Sequence, residues 1–335
     1  MGTDMSKTTW NRIQLKKSFI LPAIALMTAA SLAGCNGAAP GSPAQSAGGE
    51  AAANEAFDAQ LHGLLPETVQ ESKVLRFGAL WETPPMIGVD PAKSTAAVGI
   101  APDLAEAMGA VLGVDVEWKN MQWPGQLPGL QSGSVDALMG QVSITAEREK
   151  GQVDLVSFYR TTLSLVVPAG NPKSLASVAD ACGLTVGAAT GSTMSQVITT
   201  NSETACTAQG KPAIKLAEYP GAANAVSALK AGTIDAWMDN TANQQAIAKA
   251  APESFSTVLI PSEEYKEIDG GLLGIAVSKD NPGISEALHG ALLKLAEEGK
   301  YESILGGYGL ETDAVPSADL KINPLTGTPA GKTAS

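Results

Sequence analysis

One phrase occurs twice in this chain. Leu130-Gln131-Ser132-Gly133-Ser134-Val135-Asp136-Ala137-Leu138-Met139 returns as Leu229-Lys230-Ala231-Gly232-Thr233-Ile234-Asp235-Ala236-Trp237-Met238. Both copies read L-x-x-G-x-(V/I)-D-A-x-M. The phrase describes the end of a helix, a glycine stop, and a β-branched residue entering a buried strand. Two copies predict two similar α/β units. The residues beyond each strand differ: Gln141 and Ser143 follow the first copy, Asp239 and Asn240 the second. In open α/β sheets ligands sit outside the carboxyl ends of strands, so two such ends predict a ligand held between two lobes.

The rest of the chain repeats the same β-α alternation. Lys73–Leu80 alternates like a strand, Leu104–Leu112 has helical period and stops at Gly113, and Val114–Trp118 is a further strand. Thr145 is placed as the N-cap of a short helix, and Leu163–Val167 as a strand. Pro168-Ala169-Gly170-Asn171-Pro172 is the sharpest punctuation, and the first crossing between lobes is expected there. The second unit runs through strands at 184–189, 214–219 and 234–238. Leu272–Ser278 is expected to return to the first lobe, followed by a helix over 284–298. The expected boundaries are 57–168 with 268–315 for a discontinuous lobe 1, 169–267 for lobe 2, and an extended, loose tail over 316–335. The β-α alternation implies largely parallel sheets with helices on both faces, and two strands crossing between lobes make a hinge.

At the N-terminus, Lys7, Arg12, Lys16 and Lys17 precede an apolar run, Phe19–Ala33, interrupted by Pro22. The run falls short of the ~20 residues of a membrane span and suits an export signal. It ends in Leu32-Ala33-Gly34-Cys35, which looks like a bacterial lipobox. Residues 1–34 are therefore expected to be a lipoprotein signal peptide, with Cys35 acylated and 35–56 a flexible tether rich in Gly, Ala, Ser and Pro. Beyond Cys35 the cysteines are Cys182 and Cys206. In an oxidising compartment they are expected to form a disulfide, worth about 3 kcal/mol in chain-entropy models. His62 and His289 have no ligand spacing relative to them, so no metal and no cofactor is expected. A formal charge of −12 argues against a nucleic-acid partner.

The residues also carry a family resemblance. Gly78 followed by Pro84-Pro85, Gly99-x-x-x-Asp103-Leu104-Ala105, Ser143-Ile144-Thr145-x-x-Arg148, Val186-Gly187-x-x-x-Gly191-Ser192-Thr193, Gly232-x-Ile234-Asp235-Ala236 and Gly299-Lys300-Tyr301-x-x-Ile304 occur in that order. Together with the first repeat they resemble the bacterial extracellular solute-binding proteins of family 3, the polar amino-acid receptors of ABC importers, over roughly residues 73–310. The resemblance implies two Rossmann-like lobes of the type II periplasmic-binding-protein kind. It also implies a monomeric receptor, not an enzyme, that hands an amino acid to importer subunits from outside the cell membrane.

It further implies a site. Arg148 would pair with the ligand carboxylate, which a planar guanidinium does in bidentate fashion. Spacing alone leaves a solvated Arg148 paired with Glu147 or Glu149 as an equal reading. Ser143 and Gln141 would line the first strand exit. Ser192 and Thr193 open a helix whose N-terminus favours an anion, although plain capping explains them as well. Asp239 would pair with the ammonium; alternatively it caps the next helix. Trp123 would stack on the ligand, with Trp81 near a second aromatic position. There is one departure. Receptors of this family for basic amino acids carry an aspartate where Leu80 stands, and Glu82 is nearby but shifted. A dehydratase-like enzyme and a stand-alone sensor are the competing readings, and Glu82 is the one additional acid near the site for general acid–base work.

Overall fold

The computed structural model describes residues 56–151 and 153–332; the signal peptide, Cys35 and almost all of the tether fall outside them. Two short helices, α1 (Ala59–His62) and α2 (Glu67–Ser72), lead into β1 (Val74–Ala79). A hairpin follows, β2 (Gly88–Asp90) and β3 (Lys93–Val98). Next come α3 (Ile100–Leu112), β4 (Asp115–Asn120), α4 (Trp123–Gln131), β5 (Ala137–Leu138), α5 (Ala146–Lys150) and β6 (Val153–Arg160). The chain then runs through β7 (Leu163–Pro168), β8 (Thr185–Ala189), α6 (Thr193–Asn201), β9 (Lys215–Tyr219), α7 (Ala222–Lys230), β10 (Ala236–Asn240), α8 (Thr241–Ala250) and β11 (Phe255–Leu259). It closes with β12 (Leu272–Ser278), α9 (Pro282–Glu297) and α10 (Lys300–Gly306). Among the described residues no helix is long and apolar enough to cross a membrane.

The strands make two five-stranded sheets, ordered β4-β1-β5-β12-β6 and β9-β8-β10-β7-β11. The orders correspond position by position. In each, three parallel strands are followed by a strand arriving from the other lobe, paired antiparallel, and then by an antiparallel edge. The sheets are thus mixed rather than largely parallel, because each lobe takes in one strand that enters from the opposite direction.

Two expectations are corrected here. The first crossing lies at Thr161–Thr162, before β7, and not at the proline-rich 168–172. β7 is already a lobe 2 strand, pairing with β10 and β11. The Pro and Gly residues after it only turn the chain at the far end of that sheet. The second crossing runs from Ile260 to Gly271, and the two are tied together where Thr161 N–H donates to Gly271 O at 2.9 Å.

The segment 316–332 is not a loose tail. Ile322 bridges to Val156, and Asn323, fully buried, donates from Nδ2 to Asp154 Oδ1 and receives Leu155 N–H on Oδ1. Leu325 and Thr326 donate their N–H groups to the two oxygens of Glu149, at 3.1 and 2.7 Å. Buried Asp154 also pairs with Lys279 Nζ at 3.0 Å. Buried Glu149, and Asp154 in part, thus find partners in a segment whose composition alone reads as linker.

Each lobe has its own core. Phe77 stacks on Trp118 in lobe 1, with ring centroids 5.2 Å apart; in lobe 2 Tyr219 meets Trp237 edge-on. Cys182 and Cys206 are joined as a disulfide that links the approach to β8 with the turn after α6.

Candidate functional site

The two repeats set the frame. Gly133 and Gly232 hold φ of +70° and +69°, with open space where a Cβ would lie, so glycine is needed there for backbone conformation alone. The next residue returns its hydroxyl to the helix: Ser134 Oγ donates to Gly129 O and Thr233 Oγ1 to Ala228 O, each at 3.0 Å. The aspartates then lace their strand to its neighbour. Asp136 Oδ2 accepts from Arg76 N–H and Asp235 Oδ2 from Thr185 N–H, each at 2.8 Å. Neither aspartate lines the cavity between the lobes.

That cavity lies where β1, β5, β8 and β10 end. From lobe 1 it is walled by Leu80, Thr83, Trp123, Gln126, Gln141 and Ser143. From lobe 2 it is walled by Ala189, Ser192, Thr193, Met194, Gly221, Ala222, Trp237 and Asp239. Eight of these positions escaped the sequence reading as ligand contacts. Gln126 was the most accessible of them, since it sits three residues after Trp123 on α4 and so shares its face.

Trp81 is not in the wall. Its ring is buried in the lobe 1 core, and its backbone N–H donates to Asn120 Oδ1. Leu80 and Thr83 face the cavity instead, so the aromatic position expected from the resemblance is empty of Trp81.

Arg148 reaches the site from behind Ser143. Its Nη1 donates to Ser143 O at 2.7 Å, and its guanidinium carbon lies 5.4 Å from the Trp123 ring centroid. Thr145 Oγ1, capping α5, receives Arg148 N–H and fixes where the side chain departs. No ion pair joins Arg148 to Glu147 or Glu149, and Glu149 is occupied by the C-terminal segment. Burial pulls the Arg148 pKa below the ordinary arginine value, opposed by the charges of Asp269 and Glu147.

Across the cleft, Asp239 is buried at the end of β10. Asn240 N–H donates to its Oδ1 at 2.8 Å and Asn243 Nδ2 to its Oδ2 at 2.9 Å. Burial pushes its carboxyl up to about 6, and those two hydrogen bonds work the other way. Among the described residues no cation pairs with this carboxyl.

The two walls touch. Ser143 and Thr193 hydroxyls are 3.1 Å apart across the cleft, and Thr193 Oγ1 donates to Asp269 Oδ2 at 3.0 Å. A threonine hydroxyl has one proton, so Ser143 donates to Thr193 and Thr193 to Asp269. Asp269, in the second crossing, also receives Gly271 N–H at 3.0 Å. This relay joins lobe 1, lobe 2 and hinge. Asp269 was missed in the sequence because nothing local distinguishes it; its role comes from Thr193, far away along the chain. Ser192 caps α6 through Ser195 N–H while also lining the cavity, so its capping and wall roles coexist.

Comparison with known proteins agrees with this geometry. Residues 75–311 match the bacterial extracellular solute-binding proteins, family 3. The ABC transporter arginine-binding protein 1 of Escherichia coli (strain K12) is 28% identical over 208 residues, covering 62% of this chain and 79% of that protein. The ABC transporter glutamine-binding protein GlnH of Bacillus subtilis (strain 168) is 26% identical over 295 residues, 87% of this chain and 96% of its own. Among solved structures, an ancestral arginine-binding protein bound to arginine is 31% identical, with a TM-score of 0.62, and covers 71% of this chain and 98% of its own. With the family matched over most of its length and the two-lobed fold in place, the chain belongs to the bacterial extracellular solute-binding proteins of family 3.

Proposed function

We propose that this chain is an extracytoplasmic receptor that binds one free amino acid between its lobes and delivers it to an ABC importer. One observation carries the ligand class: a half-buried guanidinium and a buried, cation-free carboxylate stand on opposite lobes. Arg148 complements an α-carboxylate and Asp239 an α-ammonium. A zwitterion engages both groups fully only when the lobes are together. That difference in affinity between open and closed forms is what drives closure. The Thr161–Thr162 and Ile260–Gly271 crossings are the hinge, and the Ser143–Thr193 contact is the seam. The Escherichia coli and Bacillus subtilis relatives are ABC transporter binding proteins, and among the described residues Asp239 is the one ionisable group of the cavity wall, whose charge this reading assigns to the ligand. Acylation at Cys35 would tether the receptor to the membrane; a Cys35→Ser chain released from the membrane fraction is the corresponding check.

Calorimetry across the common amino acids tests the reading. The expected result is one-to-one binding by at least one of them, with Kd on the order of micromolar, roughly −8 kcal/mol. Absence of both heat and thermal shift for every amino acid overturns it.

A further inference from the structure

The cavity wall counts its charges narrowly. Among the described residues that line it, Asp239 is the one ionisable group, with Arg148 immediately behind Ser143. If these serve the ammonium and carboxylate common to all amino acids, as proposed above, no charged group remains on the wall for a third charge. What remains is neutral: hydrogen-bonding groups such as Thr83, Gln126 and Gln141, among apolar side chains such as Leu80, Met194 and Trp237.

The acids outside the wall are already engaged. Glu82 stands at the cleft mouth, and its Oε2 accepts from Ala223 N–H at 3.2 Å, in the first turn of the nine-residue α7 of the opposite lobe. The approach is close, since a Cβ on Gly221 would lie 2.8 Å from that oxygen. A carboxylate at a helix N-terminus is favourably placed, so Glu82 serves as a clasp between the lobes. Asp269 is behind Thr193 and binds its hydroxyl and Gly271 N–H. A lysine or arginine side chain in the closed cavity would therefore be buried without a counter-charge, and an acidic side chain would face Asp239.

We propose that the ligand is an amino acid with an uncharged side chain, and that Glu82 acts in lobe closure, not in side-chain recognition. This rests on the receptor reading and narrows it, in contrast to the arginine-binding relatives.

The test is competitive calorimetry on the full chain with glutamine, methionine, leucine, arginine, lysine and glutamate, repeated on Glu82→Gln. An uncharged amino acid is expected to bind tightest, with charged ones weaker by more than ~100-fold, the scale set by burying an unpaired charge. Glu82→Gln is expected to weaken every ligand by a similar few-fold factor and leave their order unchanged. Tightest binding by arginine or lysine overturns the inference while leaving the receptor reading intact. Selective loss of that binding in Glu82→Gln would make Glu82 the side-chain partner, which also overturns it. Binding by none of the six or any other amino acid strikes the receptor reading itself, and the inference with it.

Discussion

Up to their methionines the two repeats are built alike, and just past them they part. Both copies have a left-handed glycine, a hydroxyl returned to the preceding helix and an aspartate accepting a neighbouring strand's N–H at 2.8 Å. Past Met139 the chain continues through Gln141 and Ser143 to a helix carrying a cation, Arg148. Past Met238 it places an anion, Asp239, at the strand end itself and starts a helix at once. The shared part is scaffold and the divergent part is chemistry. A symmetrical pair of lobes thus presents an asymmetrical pair of charges, which the proposed reading assigns to a zwitterion.

Removing the charge after either copy should have the largest effect. Arg148→Ala and Asp239→Asn are each expected to cost about 2–5 kcal/mol of binding, roughly 30-fold to several thousand-fold in Kd, because each leaves a ligand charge buried without its partner. Both should remain folded by circular dichroism. The comparison breaks if one variant binds normally while the other fails, since the ligand would then be held by one lobe.

The two charges should also differ in their response to pH. Arg148 keeps its charge across this range, whereas burial pushes the Asp239 carboxyl up to about 6. Its folded pKa is raised, so the stability this carboxyl contributes is present below its ordinary value of 3.8 and is lost as pH rises through about 6. An ammonium ligand needs the ionised form. Affinity is therefore expected to be flat above about pH 6.5 and to fall below 6, by up to tenfold per unit. Titrations at pH 7.5, 6 and 5 measure this, and Asp239→Asn should flatten the profile. An unchanged Kd at pH 5 in the parent protein would show that Asp239 does not meet the ligand's cation.

The same division explains what was legible in the sequence. The α3 period, its Gly113 stop and the repeat strands are local patterns, and all appear where the pattern places them. So do the polar residues past each copy. Three features depend on partners far along the chain and were not legible. β6 includes Asp154 and Ser157, polar residues whose burial makes sense only once residues 319–331 supply hydrogen bonds. Those residues in turn read as linker until Glu149 and Asp154 are seen to hold them. Trp81 follows the wall residue Leu80 and its ring enters the core, a one-residue difference of facing that a lone aromatic cannot signal. The crossing point was misplaced because proline and glycine mark turns in general, and only the pairing of β7 with β10 tells which lobe a strand has joined.

If the aspartates are scaffold, their loss should lower stability and spare affinity. Asp136→Ala frees Arg76 N–H and removes two further bonds from the Arg76 guanidinium, at 2.9 and 2.6 Å. Asp235→Ala frees Thr185 N–H and a Lys173 contact at the longer distance of 3.9 Å. Each lost strand hydrogen bond costs about 0.5–1.5 kcal/mol, since the Arg76 bond is exposed and the Thr185 bond half-buried. The surface-exposed ion pairs add little, since Arg76 and Lys173 are largely in water. Thermal unfolding should therefore drop for both, with Kd for the best ligand within about twofold of the parent, a change far below the loss of a buried charge pair. A large affinity loss in either would move that aspartate from scaffold to site.

The smallest effect tests the symmetry most closely. Ser134→Ala and Thr233→Ala each delete one hydroxyl that donates to a helix carbonyl at the same 3.0 Å and at the same position in the repeat. The hydroxyls are unlike in exposure: Ser134 is half-buried and Thr233 is exposed. Neither carbonyl is orphaned by the change: Gly129 O keeps Ser134 N–H and Ser132 Oγ, and Ala228 O keeps Thr233 N–H. Both losses are expected at no more than about 0.5–1.5 kcal/mol, the net worth of one hydrogen bond. Differential scanning calorimetry resolves this if the lobes unfold at separate temperatures, because each variant should then shift one transition and leave the other in place. A shift of both transitions by either variant would mean that the lobes unfold as one unit, and that the likeness of the two repeats does not extend to independent stability.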